Sequence, residues 1–62
     1  MDMELKIANE YLNVNGIFIA KSTVSDKYFW MRCKNGTFSE EHDGFDTVQE
    51  AFDDALSYLA SN

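Results

Sequence analysis

The segment at residues 47–60, TVQEAFDDALSYLA, decides the fold because it predicts one well-defined helix. Thr47 and Glu50 have the spacing of a capping box, in which two side chains satisfy free backbone N–H groups at a helix start. Apolar residues then recur at intervals of three and four, the period of a buried helix face. They are Val48, Ala51, Phe52, Ala55, Leu56 and Leu59.

The middle of the chain predicts an antiparallel meander that this helix covers. Residues 17–24, 27–34 and 37–40 are β-rich runs. Ser25-Asp26 is suited to the first turn, and Asn35-Gly36 is the dipeptide preferred by a two-residue type I′ turn, which needs positive φ at both positions. The sequence therefore predicts three consecutive antiparallel strands.

Strand alternation divides the second run into two faces. Phe29, Met31 and Cys33 fall on one face and are expected to pack beneath the helix. The other residues of the run are then expected to face outward, with Trp30 as an exposed aromatic residue. These outward positions are Tyr28, Trp30, Arg32 and Lys34.

The N-terminal segment allows two interpretations. One side of a helix would carry Leu5, Ala8, Tyr11 and Leu12, whereas Met3, Leu5 and Ile7 alternate as in a strand. We favour the helix. The predicted fold is a single α+β domain over residues 1–62, in which a three-stranded antiparallel meander carries a C-terminal amphipathic helix on one face (α-β-β-β-α). The alternative order is β-β-β-β-α.

The amino-acid composition limits the size of the folded core and indicates the cellular compartment. The chain has 62 residues, of which 45% are hydrophobic and 15% aromatic, a globular composition with material for only a small core. The longest apolar run, residues 17–20, is far shorter than a membrane span. The N-terminus lacks the basic and apolar pattern of a signal peptide. With Cys33 as its single cysteine, the protein is expected to be cytoplasmic.

Charge is strongly segregated along the chain. Residues 1–39 contain four acidic and five basic residues, whereas residues 40–62 contain seven acidic residues and no lysine or arginine. The two parts carry +1 and −7, which add to the net charge of −6. A one-sided field of this kind steers association with a partner of opposite sign. Direct nucleic-acid binding is disfavoured because phosphate contacts need basic residues.

Residues 40–62, the acidic half of the chain, supply most of the predicted partner-binding surface. We expect the helix face formed by Glu50, Asp53 and Asp54 and the preceding acidic segment to occupy a basic surface of another protein. Tyr28 and Trp30 are the predicted aromatic anchors because these residue types dominate interface hot spots. The acidic positions are Glu40, Glu41, Asp43, Asp46, Glu50, Asp53 and Asp54.

The sequence contains no pattern that predicts catalysis, a cofactor or a metal. Residues 39–50 can be counted as a twelve-residue calcium loop, but Ser39 stands where an aspartate is expected and Asp46 where an apolar residue is normal. His42 and Cys33 are one residue each and cannot build a zinc site. We therefore predict no catalytic, cofactor-binding or metal-ligating residues.

Two partial resemblances bear on this interpretation. The segment DGFDTVQEAFDDAL, residues 43–56, is similar to the strand-turn-helix segment of HicB-type antitoxins, whose helix begins with G-D-T-x-x-E-A. It covers about a quarter of the chain, and the usual proline-rich turn is absent. The α-β-β-β-α order is similar to that of the double-stranded RNA-binding domain, but acids replace the lysines that start its last helix.

The combined expectation is a small, acidic, non-catalytic protein-binding module. In general character it resembles phage or mobile-element proteins that inhibit a host factor, and its acidic face is expected to occupy a basic, nucleic-acid-binding surface of a host protein. The alternative is an antitoxin-like or structural module that homodimerises through its sheet face, with the acids providing solubility.

Overall fold

A computed structural model describes residues 3–61, apart from the side chains of Glu40 and Glu41. It confirms the α+β class and the α-β-β-β-α order. A short 3-10 helix, Asn13–Asn15, follows the first helix. The elements are α1 (Leu5–Leu12), β1 (Ile17–Lys21), β2 (Tyr28–Lys34), β3 (Thr37–Phe45) and α2 (Val48–Ser61).

The sheet has the order β1-β2-β3, and both pairings are antiparallel. Asn35 and Gly36 have φ angles of 55° and 78°, which confirms the turn with two positive φ values. β3 continues to Phe45, beyond the predicted end at Glu40. Its pairing with β2 is irregular between Tyr28 and Met31, so bulges accommodate the polar residues that follow the predicted end of the strand.

The N-terminal segment is a helix, and the alternative four-stranded meander is wrong. Ala8 and Leu12 on α1 are fully buried, whereas Tyr11, expected on the same side of the helix, is 61% exposed. Gly16 then turns the chain into β1 with a φ of 74°. A Cβ at this position would lie 3.1 Å from the Cys33 carbonyl oxygen, so both backbone conformation and space favour glycine.

Both helices pack on the same face of the sheet. The predicted stripe on α2 is confirmed, since its first four apolar residues are buried and its last two pack partly buried against them. Tight packing of this kind is the main favourable contribution to the stability of so small a domain. The buried core consists of Ala8, Leu12, Ile17, Ile19, Trp30, Val48, Ala51, Phe52 and Ala55.

The predicted orientation of β2 is wrong. Trp30 is 0% exposed and lies beneath α2, while Phe29, Met31 and Cys33 are on the opposite face. Period-2 alternation could not decide between the faces because both carry large apolar residues. Burial of the bulkier tryptophan removes more apolar surface from water, at about 25 cal/mol per Å². Ile17 and Ile19 lie on the same face as Trp30 and complete the sheet side of the core.

Over residues 3–61, neither helix combines the length and the apolar character that crossing a lipid bilayer requires.

Candidate interaction surfaces

Asp54, predicted to be part of a free acidic helix face, is bound to the core. Its Oδ2 accepts a hydrogen bond of 2.9 Å from Nε1 of the buried Trp30. The same oxygen contacts Nδ1 of His42. Because an ionised carboxylate only accepts, Nδ1 carries the proton in this contact. Asp54 therefore connects α2 to β2 and β3.

Several effects act on the pKa of the Asp54 carboxyl. Burial alone raises the pKa, but the hydrogen bonds from His42 and Trp30, together with the charge of His42, outweigh burial and hold it below the ordinary aspartate value. The ionised form is thus the one that the folded protein stabilises.

Glu50 and Asp46 also have intramolecular roles. Glu50 Oε1 accepts hydrogen bonds of 3.1 Å from the backbone N–H groups of Asp46 and Thr47, and Thr47 Oγ1 accepts one of 3.1 Å from the Glu50 N–H. This geometry confirms the predicted capping box. Asp46 pairs with Lys27, and the resulting hydrogen bond and charge raise the pKa of that lysine. Both carboxylates are exposed but already engaged.

Among the predicted acidic residues, Asp43 and Asp53 have side chains that are accessible to a partner. Asp53 is exposed on α2 and accepts a hydrogen bond of 2.9 Å from Gln49 Nε2. Asp43 is exposed near the end of β3. The backbones of Glu40 and Glu41 belong to β3. The predicted acidic residues therefore do not form one free surface: some cap α2 or pair with other side chains, and others are exposed.

The predicted aromatic anchors lie on the covered face of the sheet. Trp30 is a core residue, so the expectation that it is an exposed anchor is wrong. Tyr28 is half-buried against the core, and Lys21 Nζ lies 5.7 Å from the centre of its ring. Trp30 therefore has no exposed ring for a partner, and Tyr28 has a partly exposed one.

The uncovered face of the sheet carries a different set of apolar side chains. We call it the open sheet face. None of its members belongs to the core or to the side chains packed against the core, and among residues 3–61 both helices lie on the other side. Phe38 is its most accessible member, at 52% exposure. The open sheet face consists of Phe18, Ala20, Phe29, Met31, Cys33 and Phe38.

Strand register explains how this face is organised. Phe18 lies opposite Met31, and Phe38 lies opposite Cys33, so the two phenylalanines flank β2 from either side. Their ring centres are 5.3 Å apart with an interplanar angle of 66°, an edge-to-face contact across the central strand. Strand alternation did not indicate this pair, because the face containing Met31 was predicted to lie in the core.

The segment considered above as a calcium loop has another structure. Ser39–Phe45 is strand, and Glu50 caps α2. Among the described residues, no three His, Cys, Asp or Glu side chains form a group suited to a metal ion. A cavity of about 80 Å³ lies near the turn between β1 and β2, beside Ser22, Lys27 and Asp43. It is small compared with ligand pockets, which are about 300–1,000 Å³.

Comparisons with protein-family models, with curated proteins and with solved structures found no match to this chain.

Proposed function

We propose that the protein is a small, non-catalytic protein-binding module that pairs with a second copy through its open sheet face. The observation that carries this proposal is the contiguous apolar surface around Phe18, Met31 and Phe38, on the side of the sheet opposite both helices. Apolar surface that is rimmed by polar residues and not covered by the chain's own elements is characteristic of protein interfaces.

A second copy suits this surface because sheet faces pack on one another and most of its positions are apolar. A flat sheet face packs well against another sheet face, at a separation of about 10 Å. The six apolar positions of the open sheet face carry no charge, and the register places one acid, Glu40, on the same face opposite Met31. Two copies can therefore pair through the apolar positions with Glu40 at the rim of the contact, where solvent and salt screen its charge.

The size of the face sets the expected affinity. Three strands about 4.8 Å apart, with five residues at about 3.3 Å each, span roughly 14 by 17 Å. This is small beside the roughly 800 Å² that each partner buries in a standard interface. We therefore expect a weak, reversible dimer rather than a permanent one.

Phe38→Lys tests the pairing, with Tyr11→Lys as its matched control. Phe38 and Tyr11 are 52% and 61% exposed, and each makes one edge-to-face contact, with Phe18 and Phe52 respectively. We expect Phe38→Lys to weaken dimerisation at least about tenfold in sedimentation equilibrium, because it places a charge in the interface. Tyr11→Lys should leave the dimer unchanged. Equal effects of both substitutions would contradict the proposal.

A second candidate function is occupation of a basic surface on a partner protein, and the charge distribution favours it. Residues 40–62 carry seven acids without a lysine or arginine, although Asp46, Glu50 and Asp54 also serve the fold. This function includes inhibition of a nucleic-acid-binding host protein, without direct contact with nucleic acid or membrane. With its lone Cys33, the protein is further proposed to act in the cytoplasm.

Charge reversal at exposed positions tests this second function. Asp43→Lys combined with Asp53→Lys avoids the acids that hold the core and the helix cap. A partner bound through the acidic half should dissociate at high salt and fail to bind the double variant. A partner that binds the variant as well as the wild type would contradict the acidic docking surface.

A further inference from the structure

The two edges of the sheet differ in whether their backbone groups are satisfied. At β1, the side chain of Asn9 replaces a neighbouring strand: its Nδ2 donates to the Ile19 carbonyl oxygen at 3.0 Å, and its Oδ1 accepts from the Ile19 N–H at 2.7 Å. At Ile19, this edge is therefore covered by α1.

The β3 edge has no such cover in the part of the chain that the structure describes. The two-residue turn makes Lys34 and Thr37 the first hydrogen-bonded pair of the hairpin. Hydrogen-bonded and non-hydrogen-bonded pairs alternate along antiparallel strands. Phe38, opposite Cys33, therefore directs its N–H and C=O away from β2, and the backbone of Glu40 does the same.

Bulges limit the length of this open edge. The pairing of β3 is regular from Thr37 to Glu40 and becomes irregular opposite Trp30. The edge can therefore accept a short extended segment by strand addition, using the outward groups of Phe38 and Glu40, and it disfavours a long added strand.

Charge identifies the occupant. β3 contains three acids, Glu40, Glu41 and Asp43, and neither lysine nor arginine. Pairing of two β3 strands would bring two acidic halves of −7 side by side, which disfavours a second copy at this edge. A segment that carries positive charge instead gains electrostatic attraction along with its backbone hydrogen bonds.

We infer that the open edge of β3 binds an extended, lysine- or arginine-rich segment of a partner protein as a fourth strand. The inference rests on the second function proposed above, the binding of a basic partner, and it adds the mode of binding. It is independent of the open sheet face, because strand addition uses the backbone at the edge of the sheet.

Three short synthetic peptides separate strand addition from simple charge attraction. The first alternates lysine and valine, the second alternates lysine and proline, and the third alternates glutamate and valine. Proline keeps the charge of the first peptide but prevents alternate residues from donating to a sheet edge. We expect the lysine–proline peptide to bind at least about tenfold more weakly than the lysine–valine peptide, and the glutamate peptide not to bind. Equal binding of the two lysine peptides would overturn strand addition.

Amide exchange in the wild-type protein locates the site without relying on a variant that folds. Adding the lysine–valine peptide should slow exchange of the Phe38 and Glu40 amides and leave the Ile19 amide unchanged, because Asn9 already covers it. Protection centred on α2, or none at β3, would overturn the inference. If the lysine peptides bind through α2 instead, the basic-partner function survives while the β3 edge is excluded.

A pair of variants at one position isolates the backbone contribution. Glu40→Gln and Glu40→Pro remove the same charge, but only the proline also removes an outward N–H. In thermally stable, folded samples, we expect Glu40→Pro to bind the lysine–valine peptide at least about tenfold more weakly than Glu40→Gln. Equal affinities would show that the backbone of β3 takes no part in binding.

Discussion

Asp54 is the residue at which the acidic half of the chain meets the core. The indole N–H of Trp30 is buried and needs an acceptor, and Asp54 Oδ2 provides it at 2.9 Å. The two residues are 24 positions apart, so no local pattern in the sequence could have indicated the contact. The spacing of Glu50, Asp53 and Asp54 predicted one acidic face, but the fold uses Asp54 as a polar anchor.

Replacing Asp54 tests this structural role. Asp54→Ala leaves the Trp30 N–H without its acceptor, and we expect the free energy of unfolding to fall by about 1–3 kcal/mol. Asp53→Ala, which removes the adjacent exposed carboxylate, should change it by less than about 0.5 kcal/mol. Urea denaturation of both variants makes the comparison. Equal losses in the free energy of unfolding would contradict a structural role that is specific to Asp54.

The lowered pKa of Asp54 predicts a pH dependence of stability. Because its pKa is lower in the folded than in the unfolded state, ionised Asp54 stabilises the fold above the ordinary aspartate value of about 3.9. That contribution is lost as the pH falls through the folded-state pKa. The stability difference between wild type and Asp54→Asn should therefore be larger near pH 7 than near pH 2, in urea titrations at both. A constant difference would contradict this linkage.

At the scale of elements, patterns among neighbouring residues predicted the helices, strands and turns, but they did not predict which face of the sheet is buried. The capping box at Thr47 and the Asn35-Gly36 turn depend on neighbouring residues, and the structure confirms both. The orientation of β2 depends on which of two apolar faces the helices cover, a tertiary choice that alternation does not encode. The length of β3 was underestimated because bulges place polar residues in an edge strand.

Asn9 provides the prediction at this scale, since it joins α1 to the edge of β1 at Ile19. Asn9→Ala leaves the Ile19 N–H and C=O without partners, and we expect a loss of about 1–3 kcal/mol in the free energy of unfolding. An open edge should also raise the tendency to aggregate, which light scattering measures. Asn15→Ala, at an exposed position, is the control. A variant as stable and monodisperse as this control would contradict the role of Asn9.

At the scale of the whole molecule, the helix side and the open sheet face have different physical characters. The sequence predicted the total charge and its segregation, because these follow from counting residues. It did not predict the open sheet face, because that surface exists only once Trp30 is placed on the other side. Under the two proposals, self-association uses the open sheet face and binding to a basic partner uses the acidic residues 40–62, so the two should respond differently to salt.

The most direct test of the central claim is sedimentation equilibrium of the wild-type protein at about 0.1 M and about 1 M sodium chloride, over a range of protein concentrations. Two copies of net charge −6 repel one another, and salt screens that repulsion while leaving the burial of Phe18, Met31 and Phe38 intact. We predict a monomer–dimer equilibrium that shifts toward dimer at the higher salt concentration. A protein that stays monomeric throughout, or a dimer that salt dissociates, would contradict pairing through the open sheet face.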